Sequence, residues 1–133
     1  MLRGLVLDYA GVLTDVGGDR LFAAVRTARA HGVRAALLSN SAGGPEARRG
    51  LTEWFDALVF SGEVGVAKPD AVVYRLTAEK LGVDAGACVF VDDSPRNVAG
   101  AVAAGMVGVR HVSVEETLTE LEALFPVLVS GSR

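Results

Sequence analysis

One cysteine, Cys88, is all the sequence has, so an internal disulfide is excluded; its place inside the apolar run Ala87-Cys88-Val89-Phe90-Val91 gives it a core role. Lysine is almost as scarce. Of 13 basic residues only Lys68 and Lys80 are lysine, and the other 11 are arginine. No apolar run reaches the roughly 20 residues that a membrane-spanning helix needs, because Gly, Arg, Asp or Ser interrupts each one, so a membrane protein is not expected. A basic excess is missing too. The net charge of −3 argues against a general nucleic-acid binder, whose affinity rests on phosphate neutralisation. The first strand-like run begins at Leu2 and holds a candidate functional residue at Asp8, which leaves no room for a cleavable signal peptide and makes the cytoplasm the expected location.

What is present is a chain of 133 residues, half of them hydrophobic, which fits one domain over 1–133 around a single sheet. Apolar runs alternate with segments of helical period. Strands are predicted over 4–8, 33–39, 57–61, 87–92 and 107–112, and helices over 19–31, 45–54, 69–81, 95–104 and 114–124. Pro45, Pro69 and Pro95 stand where helices should begin, and Gly32, Gly82 and Gly105 where they should end. Continuous apolar strands separated by helices imply a three-layer α/β/α, doubly wound domain with a mainly parallel five-stranded sheet. The segment 114–128 should cover an outer strand, with a homodimer contact as its alternative use, and the tail from Ser130 to Arg133 should fray.

Ligands of open α/β sheets bind beyond the carboxyl ends of the strands. The residues that close the predicted strands are Asp8, Ser39, Ser61 and the pair Asp92-Asp93, and Lys68 precedes the helix that should start at Pro69. Acids, a hydroxyl and a lysine converging on one edge suit a phosphate held by a divalent cation. Mg²⁺ takes hard carboxylate oxygens, which Asp8 and Asp93 can supply, while Lys68 and the Ser39 hydroxyl can neutralise and orient phosphate oxygens.

Four separate segments then resemble the haloacid dehalogenase (HAD) superfamily over essentially the whole chain. Leu5-Val6-Leu7-Asp8-Tyr9-Ala10-Gly11-Val12-Leu13 is similar to the motif whose leading Asp is the nucleophile, and Leu37-Leu38-Ser39-Asn40 to the strand ending in Ser or Thr. Ser61-Gly62-Glu63-Val64-Gly65-Val66-Ala67-Lys68-Pro69 resembles the lysine motif, and Val89-Phe90-Val91-Asp92-Asp93-Ser94-Pro95-Arg96-Asn97 the one that brings metal-binding acids. The resemblance implies a Mg²⁺-dependent hydrolase in which Asp8 forms an aspartyl-phosphate with a phosphorylated small molecule or macromolecule. It further implies Ser39, Asn40 and Lys68 at the substrate, and the metal at Asp8, the Ala10 carbonyl, Asp93 and Asp92, with Asp93 the better-aligned ligand of the last two.

One position departs from that pattern. Family phosphatases carry a second Asp two residues after the nucleophile as general acid and base, a function worth about 10²–10⁴ in rate, and here that residue is Ala10. A weakened phosphatase and a phosphate- or metal-binding regulatory module are both compatible with it. The family's phosphonate hydrolases also have Ala there, but they use a cap-domain lysine for which this chain has no counterpart. Haloacid dehalogenation would need a different, metal-free site and a cap. Only a short flap, one helix and one strand separate Asp8 from Ser39, and six residues separate Ser61 from Lys68, so no cap domain is expected. Asn40, Glu63 and Ser94 are read as supporting residues, and Asn97 as a ligand-side group or a helix cap. His31 is read as a surface residue, His111 as a strand end without a catalytic role, Trp54 and Phe55 as packing, and Arg48-Arg49 as a solvated helix face.

Overall fold

The computed structural model describes residues 1–130; of the tail expected to fray, residues 131–133 lie outside them. In chain order its elements are β1 (Gly4–Leu7), α1 (Gly18–Ala30), β2 (Arg34–Ser39), α2 (Pro45–Arg48), β3 (Ala57–Phe60), α3 (Ser61–Val64), α4 (Ala71–Leu81), β4 (Cys88–Asp92), α5 (Pro95–Ala103), β5 (Val107–Arg110), α6 (Val114–Leu124) and α7 (Val127–Ser130). The five strands form one wholly parallel sheet in the order β3-β2-β1-β4-β5. This is the doubly wound arrangement read from the sequence.

Alternation along the strands gives each face its own core. Leu5 and Leu7 of β1 join Leu37, Val89 and Val91 under α1, α6 and α7, where Leu21, Val25, Leu121 and Leu128 meet them. Val6 faces the other way with Ala36, Leu38, Val59 and Phe90, covered by Val73, Tyr74 and Leu81 of α4 and Ala101 of α5. Both strand faces are therefore dry, which is why the strands read as unbroken apolar runs rather than alternating ones. The thiol of Cys88 is pushed up to about 11 by burial in this second core, consistent with a packing role.

The sheet order places the crevice. From β1 the chain crosses to β2 and β3 on one side, and from β4 to β5 on the other, so a gap opens between the carboxyl ends of β1 and β4. Leu7 is in register with Val91, and the Asp8 N–H donates to the Val91 carbonyl at 3.0 Å, so Asp8 emerges level with Asp92. Between Asp8 and Ser39 the chain forms one wide turn, Tyr9–Leu13, then α1 and β2, and no domain is inserted there. Among the described residues no helix is long and apolar enough to cross a membrane.

Four boundaries differ in ways that bear on the site's surroundings. The helix expected over 45–54 stops at Arg48, because Arg49 turns extended (φ −59°, ψ 126°) and Gly50 is left-handed (φ 77°). Arg48 and Arg49 stay solvent-accessible, with side chains 39% and 75% exposed; Arg48 also pairs with Glu63 and lies 5.4 Å over the Phe60 ring, while Trp54 packs edge-on against Phe22 with centroids 5.1 Å apart. The helix expected from Pro69 begins at Ala71, since Asp70 caps it by accepting the Val72 N–H at 2.9 Å. Ser61 opens the short α3 instead of closing β3, and β5 ends at Arg110, two residues before its predicted limit.

Gly100 lets α5 lie directly on the segment that leaves Lys68. A Cβ there would stand 2.7 Å from Pro69 Cβ, 2.8 Å from the Pro69 carbonyl oxygen and 3.1 Å from the Tyr74 hydroxyl. Gly100→Ala is therefore expected to lower the free energy of unfolding by about 1–3 kcal/mol in urea titrations. An unchanged midpoint would contradict this close packing.

Candidate functional site

Lys68 is the centre of the crevice. Its ammonium, in a residue only 6% exposed, donates to Asp8 Oδ1 at 2.9 Å, to Asp92 Oδ2 at 2.9 Å and to the Leu38 carbonyl at 3.0 Å. All three of its protons are thus matched by acceptors at the ends of β1, β4 and β2. The loop that carries it is fixed by Asn40, whose carboxamide donates to the Lys68 carbonyl and accepts from the Lys68 N–H, both at 3.0 Å. The sequence reading placed Asn40 at the substrate; in the structure both ends of its amide hold the lysine backbone.

The two acids of the pair have different surroundings. Asp92 is buried and fully engaged: Oδ1 accepts the Ser94 N–H at 2.9 Å, and Oδ2 accepts from Lys68 and from Asn97 Nδ2 at 3.1 Å. Asp93 is exposed and lies against the Tyr9–Leu13 turn, so close that a Cβ at Gly11 would meet its Oδ2 at 2.5 Å. Gly11 is left-handed (φ 82°), and both demands require glycine at that position. Ser94 caps α5 through the Asn97 N–H, which fixes the turn that presents both acids.

Asp8, Asp92 and Asp93 each offer a carboxylate oxygen to a point where those atoms lie within 4.8 Å of one another. Three carboxylates against one ammonium leave two negative charges, which is the charge a divalent cation balances. Their titration reflects the same imbalance. Desolvation raises the Asp8 carboxyl above its ordinary 3.8, with the nearby Asp92 charge adding to the rise and Lys68 opposing it. Asp93 is raised as well, by desolvation and by Asp92. For Asp92 desolvation works in the same direction, but the Ser94 N–H and Lys68 outweigh it and hold the carboxyl below 3.8. Hard oxygen donors with a charge deficit fit Mg²⁺ or a similar cation.

Ser39 is buried beside this cluster, and its hydroxyl is hydrogen-bonded to the Ser41 hydroxyl at 3.0 Å. Ala10 is exposed and extended (ψ 128°), and brings no acid to the opening. Glu63 and Ser61 stand apart from the cluster: Glu63 anchors the loop before α2 through the Gly44 N–H, and the Ser61 hydroxyl donates to the Ser41 carbonyl. Three residues near the site had no signal in the sequence. Ser41 is two positions past a motif residue, and Asp15 and His111 are 96 positions apart in the chain yet joined at 2.8 Å.

A profile of the haloacid dehalogenase-like hydrolases matches residues 11–105. A solved structure of an uncharacterised protein from Corynebacterium glutamicum superposes with a TM-score of 0.88 at 37% identity, over 95% of this chain and 96% of that one. The phosphoserine phosphatase of Thermus thermophilus is 37% identical over 98 residues, which are 68% of this chain and 37% of that protein. A HAD family enzyme of Bacteroides thetaiotaomicron, solved in complex with magnesium and inorganic phosphate, shares the fold at a TM-score of 0.65 and 14% identity, over 83% of this chain and 94% of that one. The chain spans about two fifths or less of the length of the curated relatives it matches.

Asp8 and Asp92 should respond oppositely to neutralisation in metal-free buffer. A carboxyl raised above 3.8 in the folded state penalises folding at higher pH, so Asp8→Asn is expected to raise the melting temperature at neutral pH, a gain that vanishes below 3.8. A carboxyl held below 3.8 stabilises the fold above that value and loses this contribution as pH falls. Asp92→Asn should thus lower stability at neutral pH by about 1–3 kcal/mol. Melts of both variants across roughly pH 3 to 8 test this, and shifts of the same sign would contradict it.

Proposed function

This chain belongs to the haloacid dehalogenase-like hydrolase family, and on that premise we propose that it transfers the phosphoryl group of a phosphorylated substrate to water through Asp8, with Mg²⁺ bound at Asp8, Asp93 and the Ala10 carbonyl. The observation that carries the reading is the Lys68 ammonium bridging Asp8 and Asp92 beside a third carboxylate, at the gap between β1 and β4. Asp92, whose oxygens already serve Lys68, Ser94 and Asn97, orients the lysine and the loop rather than acting as the main ligand. Mg²⁺, when bound, supplies the charge that screens the repulsion between carboxylate and phosphate.

In the proposed reaction an Asp8 oxygen attacks phosphorus in line as the bond to the leaving oxygen breaks, giving an aspartyl-phosphate. Lys68, held at Asp8 and at the Leu38 carbonyl, stays beside the nucleophile and neutralises phosphate oxygens. The Ser39 hydroxyl orients another of those oxygens, and the second N–H of Asn40 is left for the same use. Water then hydrolyses the aspartyl-phosphate, releasing inorganic phosphate and restoring Asp8. Ala10 has no proton to give, so the leaving oxygen takes its proton from solvent or leaves as a stable anion, which favours substrates with good leaving groups. With no domain inserted over the crevice, large phosphorylated partners also fit the reading, as do small ones.

The test is hydrolysis of an activated aryl phosphate. Slow Mg²⁺-dependent turnover that Asp8→Asn abolishes is expected, and activity without Mg²⁺ or unchanged in the variant would refute the reading. Ala10→Asp should raise turnover by about 10²-fold or more if the acid alone is lacking. The absence of any gain, together with tight beryllofluoride and Mg²⁺ binding, would favour a phosphate-binding regulatory module, because Ala10 is the one motif position without its chemistry.

A further inference from the structure

The loop from Asp8 to Gly18 is largely bonded to itself. The Gly11 N–H donates to Thr14 Oγ1 at 2.9 Å, the Thr14 N–H to the Tyr9 carbonyl at 3.2 Å, the Asp15 N–H to the Val12 carbonyl at 3.2 Å and the Gly18 N–H to the Asp15 carbonyl at 2.9 Å. Such a loop moves as a unit, so whatever holds Asp15 also sets where Ala10 and Gly11 stand. Asp15 Oδ2 is 2.8 Å from Nε2 of His111, a residue only 4% exposed just beyond the end of β5. An ionised carboxylate only accepts, so Nε2 carries the proton of this bond.

His111 is itself held at two further points. Its Nδ1 is 2.7 Å from Thr117 Oγ1 on α6, and its backbone N–H donates to the Asp92 carbonyl at 2.8 Å. The imidazole therefore ties the loop to α6, and the backbone N–H of the same residue ties it to the strand end that carries the acid pair. An apolar residue would fill the space between β5 and α6 equally well, but it could not reach out to Asp15, whose side chain is 35% exposed. Thr117 is buried, so this trio has no access to a substrate and does not act as a nucleophile with its base.

We propose that Asp15 and His111 are positioning residues, which clamp the loop of Ala10 and Gly11 against Asp93 and so preform the oxygen cage for the cation. The inference rests on the Mg²⁺ site of the proposed function and assigns a role to a histidine that the sequence alone left without one. The close approach of Gly11 to Asp93 gives the clamp its effect, because a shift of the loop frees the Asp93 carboxylate from the backbone it lies against. Outer groups that orient metal ligands are worth about 10–100-fold in affinity.

Calorimetric Mg²⁺ titration of the full chain separates the possibilities, with melting of the metal-free proteins alongside. The wild type is expected to bind Mg²⁺ and Asp93→Asn to lose it. Asp15→Ala should bind roughly 10-fold more weakly, and Asp15→Asn, whose amide oxygen can accept from Nε2 once the Val16 N–H gives up its bond to this side chain, should recover most of the lost affinity. Equal affinity in Asp15→Ala would overturn the clamp while leaving the metal site standing. A loss of affinity that follows a fall in metal-free stability and is not rescued by Asp15→Asn would also overturn it, as a merely structural effect. Absence of Mg²⁺ binding by the wild type would instead overturn the proposed function beneath it.

Discussion

The ammonium of Lys68 is shut away from water at the edge of the sheet, and a buried cation persists only where its charge and its protons are matched. Here the match comes from Asp8, Asp92 and the Leu38 carbonyl, three groups contributed by three adjacent strands. Parallel register puts those strand ends level, and the Asn40 clamp fixes the lysine loop above them. Position and charge are thus set together. Displacing Asp92 or the lysine loop would leave a buried charge without its partner, which costs more than the pair contributes when intact.

The same arrangement carries a built-in imbalance. The ammonium is paired with two of the three carboxylates; desolvation, with the Asp92 charge adding to it, holds Asp8 and Asp93 above their usual range, while Asp92, with its additional N–H donor, is held below it. Carboxylates crowded in this way weaken the fold of the metal-free protein and suit a site completed by a cation, in the manner of functional sites that trade stability for chemistry. The residues that hold the crevice open to solvent are small. Ala10 contributes a backbone and no acid, and Gly11 contributes the room that Asp93 occupies.

Much of this could be read from the amino-acid order, for a physical reason. Buried parallel strands are continuous apolar runs, so an Asp or Ser that interrupts such a run at its end is conspicuous, and Asp8, Ser39 and Asp92-Asp93 were found that way. Lys68 stood out by its place just before Pro69, in a segment that resembles the family's lysine motif. What remained hidden depends on contacts between distant residues. Gly50 is the one local hint that the helix expected over 45–54 stops early, and nothing local announces that Glu63 will pair with Arg48. Asp70 outcompeted Pro69 as the start of α4 because its side chain satisfies a helix N–H that proline leaves unserved. The bond between Asp15 and His111 has no trace in either neighbourhood, and a histidine at a strand end carries no message until its partner is seen.

Anomalous diffraction from crystals soaked in Mn²⁺, a stand-in for Mg²⁺, would locate the cation. A single strong peak is expected about 2.0–2.2 Å from carboxylate oxygens of Asp8 and Asp93, with Lys68 still bridging Asp8 and Asp92. A peak elsewhere, or none with the three carboxylates left as they are, would contradict this site.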